Sequence, residues 1–340
     1  MKTPLLGLTP DELKELALRA GLPKYAGGQL AKWLYQRRAM SFDDMTDLPK
    51  AGREALSEQF STGREAPAAV AESADGTKKY LFSTSEGMAV ESVMIPDAER
   101  KTLCVSSQAG CKMGCKFCMT GRQGFHGNLS AAEILNQFLS VDEAAELTGT
   151  VFMGMGEPLD NWDNVRRVLE VLTSPWGFAW SPKRITLSTI GVLPVLKRFL
   201  DETKCHLAVS LHNPFPEQRA ELMSVEKAWS TREIMELIRR YDFTGQRRVS
   251  FEYTMFGGWN DSPRHADELA RMLRGLECRV NLIRFHKIPD FPYESSSGEV
   301  MEDFRKRLSS RGVTATIRAS RGEDIFAACG LLAGRHKQTS

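Results

Sequence analysis

Four of the seven cysteines lie close together and could bind a metal. Cys111, Cys115 and Cys118 have a C-x3-C-x2-C spacing in a loop containing glycine and lysine, and Cys104 precedes them. Thiolates in such groups are typical ligands of zinc or iron-sulfur clusters. For zinc, Cys104 or His126 is available as a fourth ligand, but a second C-x2-C or an H-x3-H pair is missing. Buried structural thiols would not need this polar loop.

The cysteine loop follows the first of several strand-like runs that alternate with helical stretches. These runs are TLCVSS, TVFMGM, RITLSTI, HLAVSL, VSFEYTM, RVNLIRF and VTATIR. Repeated strand-helix units demand parallel pairing, and about six units favour a full or partial barrel over a doubly wound sheet. In barrels, the chemistry lies at the carboxyl ends of the strands. The candidates at these ends are Gly156, Glu157, Ser188, Ser210, Leu211 and His212.

The sequence before residue 100 predicts two smaller structural units. Residues 1–62 form a helical domain, because Thr9 to Glu12 is a capping sequence and GGQLAKWLYQRRAM and LPKAGREALSEQF predict two further helices. Residues 63–99 form a β-hairpin linker, with alternating residues around a turn at Glu86 and Gly87. The barrel and its C-terminal tail then cover residues 100–335, and residues 336–340 are a terminal tail.

The composition is that of a globular protein. The 340 residues are 42% hydrophobic and 26% charged, which allows a large core. No apolar run reaches the roughly 20 residues of a membrane span, and the N-terminus does not resemble a signal peptide, so we expect a cytoplasmic protein without a membrane partner. The net charge of +2 does not by itself indicate nucleic-acid binding. Basic pairs such as Arg37-Arg38, Lys78-Lys79 and Arg247-Arg248 are each expected to be solvated surface pairs.

The cysteine spacing, with Phe117 before the last cysteine, resembles the signature of the radical S-adenosylmethionine (SAM) superfamily. This resemblance implies a partial (β/α)6 barrel in which Cys111, Cys115 and Cys118 hold a 4Fe-4S cluster whose fourth iron binds SAM. One electron from the cluster would then release a 5′-deoxyadenosyl radical. GMGEP is similar to the SAM-binding motif of the superfamily. The resemblance therefore makes the strand-end candidates named above SAM contacts.

Longer stretches resemble the bacterial adenine methyltransferases that act on large-subunit rRNA and, in some members, on tRNA. They are VESVMIP, TLCVSSQAGCKMGCKFCMTG, GMGEP, TLSTIG, VSLH, RGEDIFAACG and KWLYQRRAMSFDDMTDLPKAGREAL, and they extend over nearly the whole chain. The resemblance implies methylation of carbon C2 of the adenine equivalent to adenine 2503 in 23S rRNA, before ribosome assembly is complete, and of adenine 37 in tRNA. It also implies two SAM molecules per turnover, a one-electron reductase such as flavodoxin, and a monomer.

Two further cysteines and one carboxylate match that family's mechanism. The resemblance implies that Cys329 takes a methyl group from one SAM, is converted by a second SAM into a methylene radical, and adds to the adenine. Cys104 would resolve the adduct by forming a disulfide with Cys329, and Glu91 would remove the ring proton. From the residues alone, Glu91 could equally be a solvent-facing strand residue. Cys205 and Cys278 are expected in the core.

One position departs from the family, and other functions stay open at this point. Many relatives have asparagine near the end of the sixth strand, where this chain has His286, whose imidazole offers a donor and an acceptor and would make the same SAM contact. The nearest alternative is the sister family that methylates carbon C8 of the same adenine. The others are a radical SAM enzyme for a small molecule or a protein, and a non-enzymatic iron-sulfur or zinc module that binds RNA.

Overall fold

The computed structural model describes residues 2–245 and 247–334, and its N-terminal part is helical. The helices are α1 (Pro10–Arg19), α2 (Ala26–Ala31) with a π-helical extension (Lys32–Gln36), and α3 (Lys50–Gln59), which follows a 3-10 turn (Phe42–Asp44). The second helical stretch is shorter than predicted, because Arg38 has a φ of 56° and leaves the right-handed helical region. Two short parallel strands join the ends of this part, β1 (Thr3–Pro4) and β2 (Phe60–Ser61).

The first helix begins where its capping sequence predicts. The Thr9 hydroxyl accepts a hydrogen bond from the Glu12 amide, and the Glu12 carboxylate accepts one from the Thr9 amide. The same carboxylate forms an ion pair of 2.6 Å with Arg167. The cap of α1 is therefore also a contact between the N-terminal helices and the barrel.

Three antiparallel strands connect the helical part to the barrel: β3 (Ala69–Glu72), β4 (Lys78–Ser83) and β5 (Ala89–Asp97). The turn between β4 and β5 includes Glu86 and Gly87, as predicted, and Gly87 has a φ of 77° that favours glycine. Strand β5 pairs with the first barrel strand, β6 (Arg100–Cys104). The hairpin thus extends the barrel sheet.

The barrel is open, and within the described residues it contains seven parallel strands joined by six crossovers. After β6, a small antiparallel ribbon forms from β7 (Gln108–Gly110) and β8 (Phe125–Asn128). The other parallel strands are β9 (Gly149–Phe152), β10 (Ile185–Thr189), β11 (His206–Ser210), β12 (Val249–Met255), β13 (Arg279–Arg284) and β14 (Thr314–Ile317). The sheet order is β14-β13-β12-β11-β10-β9-β6-β5-β4-β3. Strands β14 and β3 form its edges, so the predicted partial barrel is confirmed.

The crossover helices bury one face against the sheet. They are α4 (Met119–Arg122), α5 (Ala131–Leu139), α6 (Trp162–Thr173), α7 (Leu193–Glu202), α8 (Pro216–Leu222), α9 (Thr231–Ile238), α10 (Pro263–Leu273) and α11 (Gly298–Ser310). In α6, for example, Val165, Val168 and Leu172 are buried at helical spacing. Cys205 is buried in the core and Cys278 packs against it. Among the described residues, no helix has the length and apolar character needed to cross a bilayer.

Two of the basic pairs are not solvated pairs, contrary to the prediction. Lys78 forms ion pairs of 2.9 Å with Asp142 and Glu143, and Lys79 forms one of 2.9 Å with Glu91. The side chain of Arg247 is buried and donates to the Leu200 carbonyl. Sequence gives no sign of these partners, because they lie on other elements of the fold.

Candidate active site

The carboxyl ends of the parallel strands surround one cavity, and most of the sequence-predicted site residues line it. They are Cys111, Cys115, Cys118, Gly156, Glu157, Ser188, Ser210, His212 and Cys329. Residues from three strand ends, the cysteine loop and the C-terminal tail therefore meet in one place. This is the arrangement expected of a catalytic barrel.

The cysteine loop is held by backbone hydrogen bonds on both sides. The Cys111 amide donates to the Gly124 carbonyl at 2.8 Å, and the Lys116 amide donates to the Leu222 carbonyl at 3.1 Å. Burial raises the pKa of the Cys111 thiol to about 12 and also raises that of Cys115. A positively charged metal centre would be needed to hold these buried sulfurs as thiolates. Three neighbouring thiols that need a positive metal centre to become thiolates are the ligands expected of an iron-sulfur cluster.

The spacing of possible ligands does not fit a single zinc ion. Within residues 2–245 and 247–334, no three His, Cys, Asp or Glu side chains converge closely enough to hold one metal ion. His126, the alternative zinc ligand, is exposed on β8 and lines a different cavity. Cluster cysteines bind different irons and stand farther apart than zinc ligands do. The donor set therefore favours a cluster over zinc.

Glu157 presents a buried carboxyl group to the cavity. Its two carboxylate oxygens accept hydrogen bonds from the amides of Leu159 at 3.1 Å and Ile190 at 3.0 Å. Burial outweighs these bonds and raises the pKa of Glu157 to about 7. The neighbouring Gly156 has a φ of 97°, and a Cβ there would lie 2.5 Å from Cβ of Gln108. The glycine is thus required by packing within the chain and by its backbone conformation.

His212 is a neutral imidazole at the end of β11. Its Nδ1 accepts a hydrogen bond from the Thr254 amide at 3.0 Å, which assigns the ring proton to Nε2. Burial lowers the pKa of His212 to about 3. The Phe117 ring packs edge-on against it, with centroids 4.9 Å apart. The side chain of Leu211 is not part of the cavity lining and is buried in the core instead.

A buried arginine that sequence analysis missed holds two of these strand ends. The guanidinium of Arg219 donates to the carbonyls of Ile190, Ser210 and Leu211, and it also forms an ion pair with Glu226. Both charged side chains are buried. The sequence gives no signal for this role, since PEQRAEL has the composition of an ordinary surface helix.

Cys329 lines the same cavity as the cysteine loop, although more than two hundred positions separate them in sequence. The residue is accessible to solvent, and desolvation of its sulfur is the main cause that raises the pKa of the Cys329 thiol. Burial raises the pKa of Cys104, at the end of β6, to about 12, and the charge of a Cys329 thiolate raises this pKa further. The charge effect indicates that the Cys104 and Cys329 sulfurs lie near each other. All seven cysteines are free thiols.

A second buried carboxylate, Glu252 on β12, also faces the cavity and was not predicted. It accepts hydrogen bonds from Asn281 at 2.8 Å and from Ser250 at 2.9 Å. Burial raises the pKa of Glu252, and its charge in turn contributes to the raised pKa of Cys329. The signal in the sequence is a lone acidic residue within the apolar run VSFEYTM.

Glu91 is buried, with 1% of its surface exposed, so its interpretation as a solvent-facing strand residue is wrong. One carboxylate oxygen pairs with Lys79 at 2.9 Å. The other accepts hydrogen bonds from the amides of Ala333 and Gly334, at 2.7 and 2.9 Å. Glu91 thus contacts the tail that carries Cys329.

His286 follows the end of β13 but is not part of the cavity lining. Its Nε2 lies 3.2 Å from the Ser320 hydroxyl, and its Nδ1 lies 4.0 Å from the Glu323 carboxylate. Burial lowers its pKa. Its contacts are therefore with the C-terminal tail, and the SAM contact expected of it stays a prediction.

Comparison with known proteins agrees with this geometry. The family model of the radical SAM superfamily matches residues 105–270, and that of the ribosomal RNA large subunit methyltransferase N-terminal domain matches residues 3–61. A crystal structure of a radical SAM methyltransferase from Sphaerobacter thermophilus superposes with a TM-score of 0.93 at 39% identity, with 98% of this chain and 100% of that chain covered. The fold and the cysteine loop therefore define a radical SAM enzyme.

Two relatives define the family more narrowly. A protein of Porphyromonas gingivalis described as "Probable dual-specificity RNA methyltransferase RlmN" is 61% identical over 100% of this chain and 96% of its own length. The "Dual-specificity RNA methyltransferase RlmN" of Syntrophus aciditrophicus is 41% identical over 96% of this chain and 94% of its own length. The chain belongs to the RlmN family of radical SAM methyltransferases, whose cofactors are a 4Fe-4S cluster and SAM.

Proposed function

We propose that the protein methylates carbon C2 of an adenine in RNA, namely the adenine 2503 equivalent of 23S rRNA and adenine 37 of tRNA. The observation that carries this proposal is the meeting of Cys329 with the three-cysteine loop in one cavity, with Cys104 beside it. A radical SAM enzyme for a small molecule or a protein would not need a second, cluster-independent pair of thiols. The names of these relatives support RNA as the substrate and a dual specificity, and the family model matched by the N-terminal residues names large-subunit ribosomal RNA.

Three cysteines and several strand-end groups would hold the cofactors. Cys111, Cys115 and Cys118 would bind three irons, and the remaining iron would bind SAM. When bound, these cofactors supply a methyl group and a carbon radical. Glu157 would accept a hydrogen bond from the SAM ammonium group, and His212 would donate one from Nε2. Ser188 and Ser210 complete the polar lining of the cavity.

Cys329 is the proposed methyl acceptor. Its sulfur, once deprotonated, would form a bond to the methyl carbon as the bond between this carbon and the sulfonium sulfur of SAM breaks, with S-adenosylhomocysteine as the leaving group. Cys329 would then hold this carbon for addition to the adenine ring. The raised pKa of Cys329 makes loss of its proton unfavourable in the free protein. The charge of Arg318 lowers this pKa, and a bound sulfonium would lower it further.

Cys104 and Glu91 complete the proposed reaction. Cys104, as a thiolate, forms a disulfide with Cys329 while the bond between the Cys329 sulfur and the transferred carbon breaks. The carbon leaves with the electron pair of this bond and takes up a proton to become the methyl group, which frees the RNA, and the unpaired electron of the adduct would pass to the bound cluster. Glu91 takes the proton that leaves the ring carbon. Its carboxylate has to exchange at least one tail amide for the substrate first, since one oxygen is bound to Ala333 and Gly334.

The remaining assignments concern the surroundings of the site. We assign RNA binding to the helical domain, residues 1–62, whose family match is to an rRNA methyltransferase domain. The hairpin, residues 63–99, links it to the barrel, residues 100–335. The terminal residues 335–340 lie outside the described part of the chain. The proposal includes a cytoplasmic monomer and a one-electron donor such as flavodoxin.

The decisive experiment is an anaerobic assay of the reconstituted protein on protein-free 23S rRNA and on tRNA. We expect reductant-dependent incorporation of methyl groups, with mass spectrometry placing them at C2 of adenine. A product methylated only at C8 would overturn the regiochemistry in favour of the sister family. Binding of RNA without SAM cleavage would overturn the enzymatic function altogether.

A further inference from the structure

The tail that carries Cys329 is anchored on both sides of that residue. Upstream, the Gly322 amide donates to the Asp75 carboxylate at 3.0 Å, and the Asp324 carboxylate accepts from the Ser73 hydroxyl at 2.6 Å. These contacts attach the tail to the turn between β3 and β4. They hold the chain before Cys329 but leave open what holds the chain after it.

Downstream, the anchor is α4 and the residue that follows it. The Met119 amide donates to the Gly330 carbonyl at 2.8 Å. The Thr120 hydroxyl donates to the Leu332 carbonyl at 2.7 Å, and the Gln123 side-chain amide donates to the Ala333 carbonyl at 2.8 Å. Three successive donors on one short segment thus bind the carbonyl groups of the tail.

The position of α4 makes this anchor informative. The helix begins at the residue after Cys118, the third cysteine of the loop. The residue after this cysteine is therefore hydrogen-bonded to the residue after Cys329. The segment that fixes the end of the cysteine loop also fixes the tail thiol, so the two parts of the cavity share a single support.

The side chains of Thr120 and Gln123 have no local reason for this arrangement. Thr120 is the second residue of α4, so its own helix contains no carbonyl four residues earlier for the hydroxyl to bond. The buried Thr120 hydroxyl instead bonds a carbonyl more than two hundred residues later in the chain. Leu332 is buried as well, and its carbonyl would lose this bond if the hydroxyl were removed.

We propose that Thr120 and Gln123 are positioning residues that hold the Cys329 sulfur in line for methyl acceptance. This inference rests on the proposed function, in which Cys329 is the acceptor. Displacement at a methyl carbon needs an in-line approach, and small displacements of a reacting group reduce rates strongly. Both side chains act through the tail: Gln123 lies outside the cavity lining, and Thr120 lines the cavity with its hydroxyl bound to the Leu332 carbonyl.

The test compares Thr120→Val, which keeps the shape and removes the donor, with Thr120→Ser, which keeps the hydroxyl. Gln123→Met probes the second anchor. Thr173→Val is the matched control, because the Thr173 hydroxyl bonds the Leu169 carbonyl of its own helix, far from the tail. The first measurement is the rate of Cys329 methylation in reconstituted enzyme with SAM and without RNA, by peptide mass spectrometry. The second is the rate of Cys329 alkylation by iodoacetamide in cluster-free protein.

We expect Thr120→Val and Gln123→Met to slow Cys329 methylation about tenfold, the effect of losing one buried hydrogen bond. Both variants should speed up Cys329 alkylation, because the tail is released. Iron content and reductive SAM cleavage should stay at wild-type levels. Thr120→Ser should restore both rates, and Thr173→Val should change neither.

Three results distinguish the ways in which the idea can fail. Wild-type rates of methylation and alkylation in Thr120→Val and Gln123→Met would overturn the positioning role. A parallel loss of iron and of SAM cleavage would overturn it too, because the residues would then support the cysteine loop. Absence of Cys329 methylation in the wild-type enzyme would overturn the proposed function instead, while alkylation would still decide whether the anchor exists.

Discussion

The buried carboxyl group of Glu157 should make the stability of the cluster-free protein fall as pH rises through neutrality. Burial raises its pKa from 4.5 to about 7 in the folded protein. A group with a raised folded pKa holds its proton in the folded state at pH values where the unfolded chain has lost it. Stability is therefore highest below the unfolded pKa and decreases as pH rises toward the folded pKa.

The magnitude follows from the size of the pKa change. Such a rise makes the charged form about 3 kcal/mol less favourable in the folded protein than in the unfolded chain. Between about pH 5.5 and about pH 8, roughly 2 kcal/mol of this effect should appear in the free energy of unfolding. Glu157→Gln removes the titration and should flatten the pH profile by this amount.

The assay is denaturant unfolding of cluster-free protein, followed by tryptophan fluorescence, at several pH values in this range. The thiols titrate in both the wild type and Glu157→Gln, so they do not contribute to the difference between the two pH profiles. Asp75→Asn is the control, because hydrogen bonds from Thr77 and Gly322 lower the pKa of Asp75 to about 2. The stabilising effect of Asp75 is complete above about pH 4, so its removal should leave the slope in this window unchanged.

Parallel pH profiles for the wild type and Glu157→Gln would refute the reasoning, because they would mean that the carboxylate is already charged at neutral pH. The expected result also bears on SAM binding. An ammonium group beside Glu157 would favour its ionised form, so binding near neutral pH should release a proton from this side chain.

Two further predictions concern the thiol pair and the buried ion pair. Cys104→Ala should accumulate a covalent protein–RNA adduct on denaturing gels, because Cys329 then has no resolving thiol. The core variant Cys205→Ala should accumulate none. Release of free methylated RNA at the wild-type rate from Cys104→Ala would contradict the resolving role of Cys104. Arg219→Met should lower the free energy of unfolding by about 3–5 kcal/mol, because it leaves the Glu226 carboxylate buried without its partner, and an unchanged denaturant midpoint would disprove the structural importance of the pair.

The cysteine loop and the strand ends were predictable because their signals are local. The spacing of the three cysteines sits beside a strand pattern, and barrel topology directs the end of every parallel strand to one mouth. Gly156, Glu157, Ser188, Ser210 and His212 consequently line the cavity as a group. Leu211 shows the limit of this reasoning: alternate residues of a strand point to opposite sides, and a one-residue difference places its side chain in the core.

The partners of buried charges were not predictable, because they come from distant segments. Lys79 looked like half of a surface pair, yet it neutralises Glu91 across two hairpin strands. Arg219 lies in a helix of ordinary polar composition, yet it binds three carbonyls at the ends of β10 and β11. Such contacts depend on which elements meet in space, and periodicity within one segment holds no information about them.

In the proposed reaction, the thiol of Cys329 would meet three partners: a methyl donor at the cluster, an adenine ring and Cys104. Besides burial, the Cys329 charge raises the pKa of Cys104 and the Cys118 charge raises the pKa of Cys329, so both thiols lie within electrostatic range of its sulfur. Both interactions of Cys329 occur in a single conformation of the tail, which is anchored before and after this residue. In the proposed reaction these anchors would limit movement of the tail backbone, so the Cys329 sulfur would reach its successive partners mainly through rotation of its side chain.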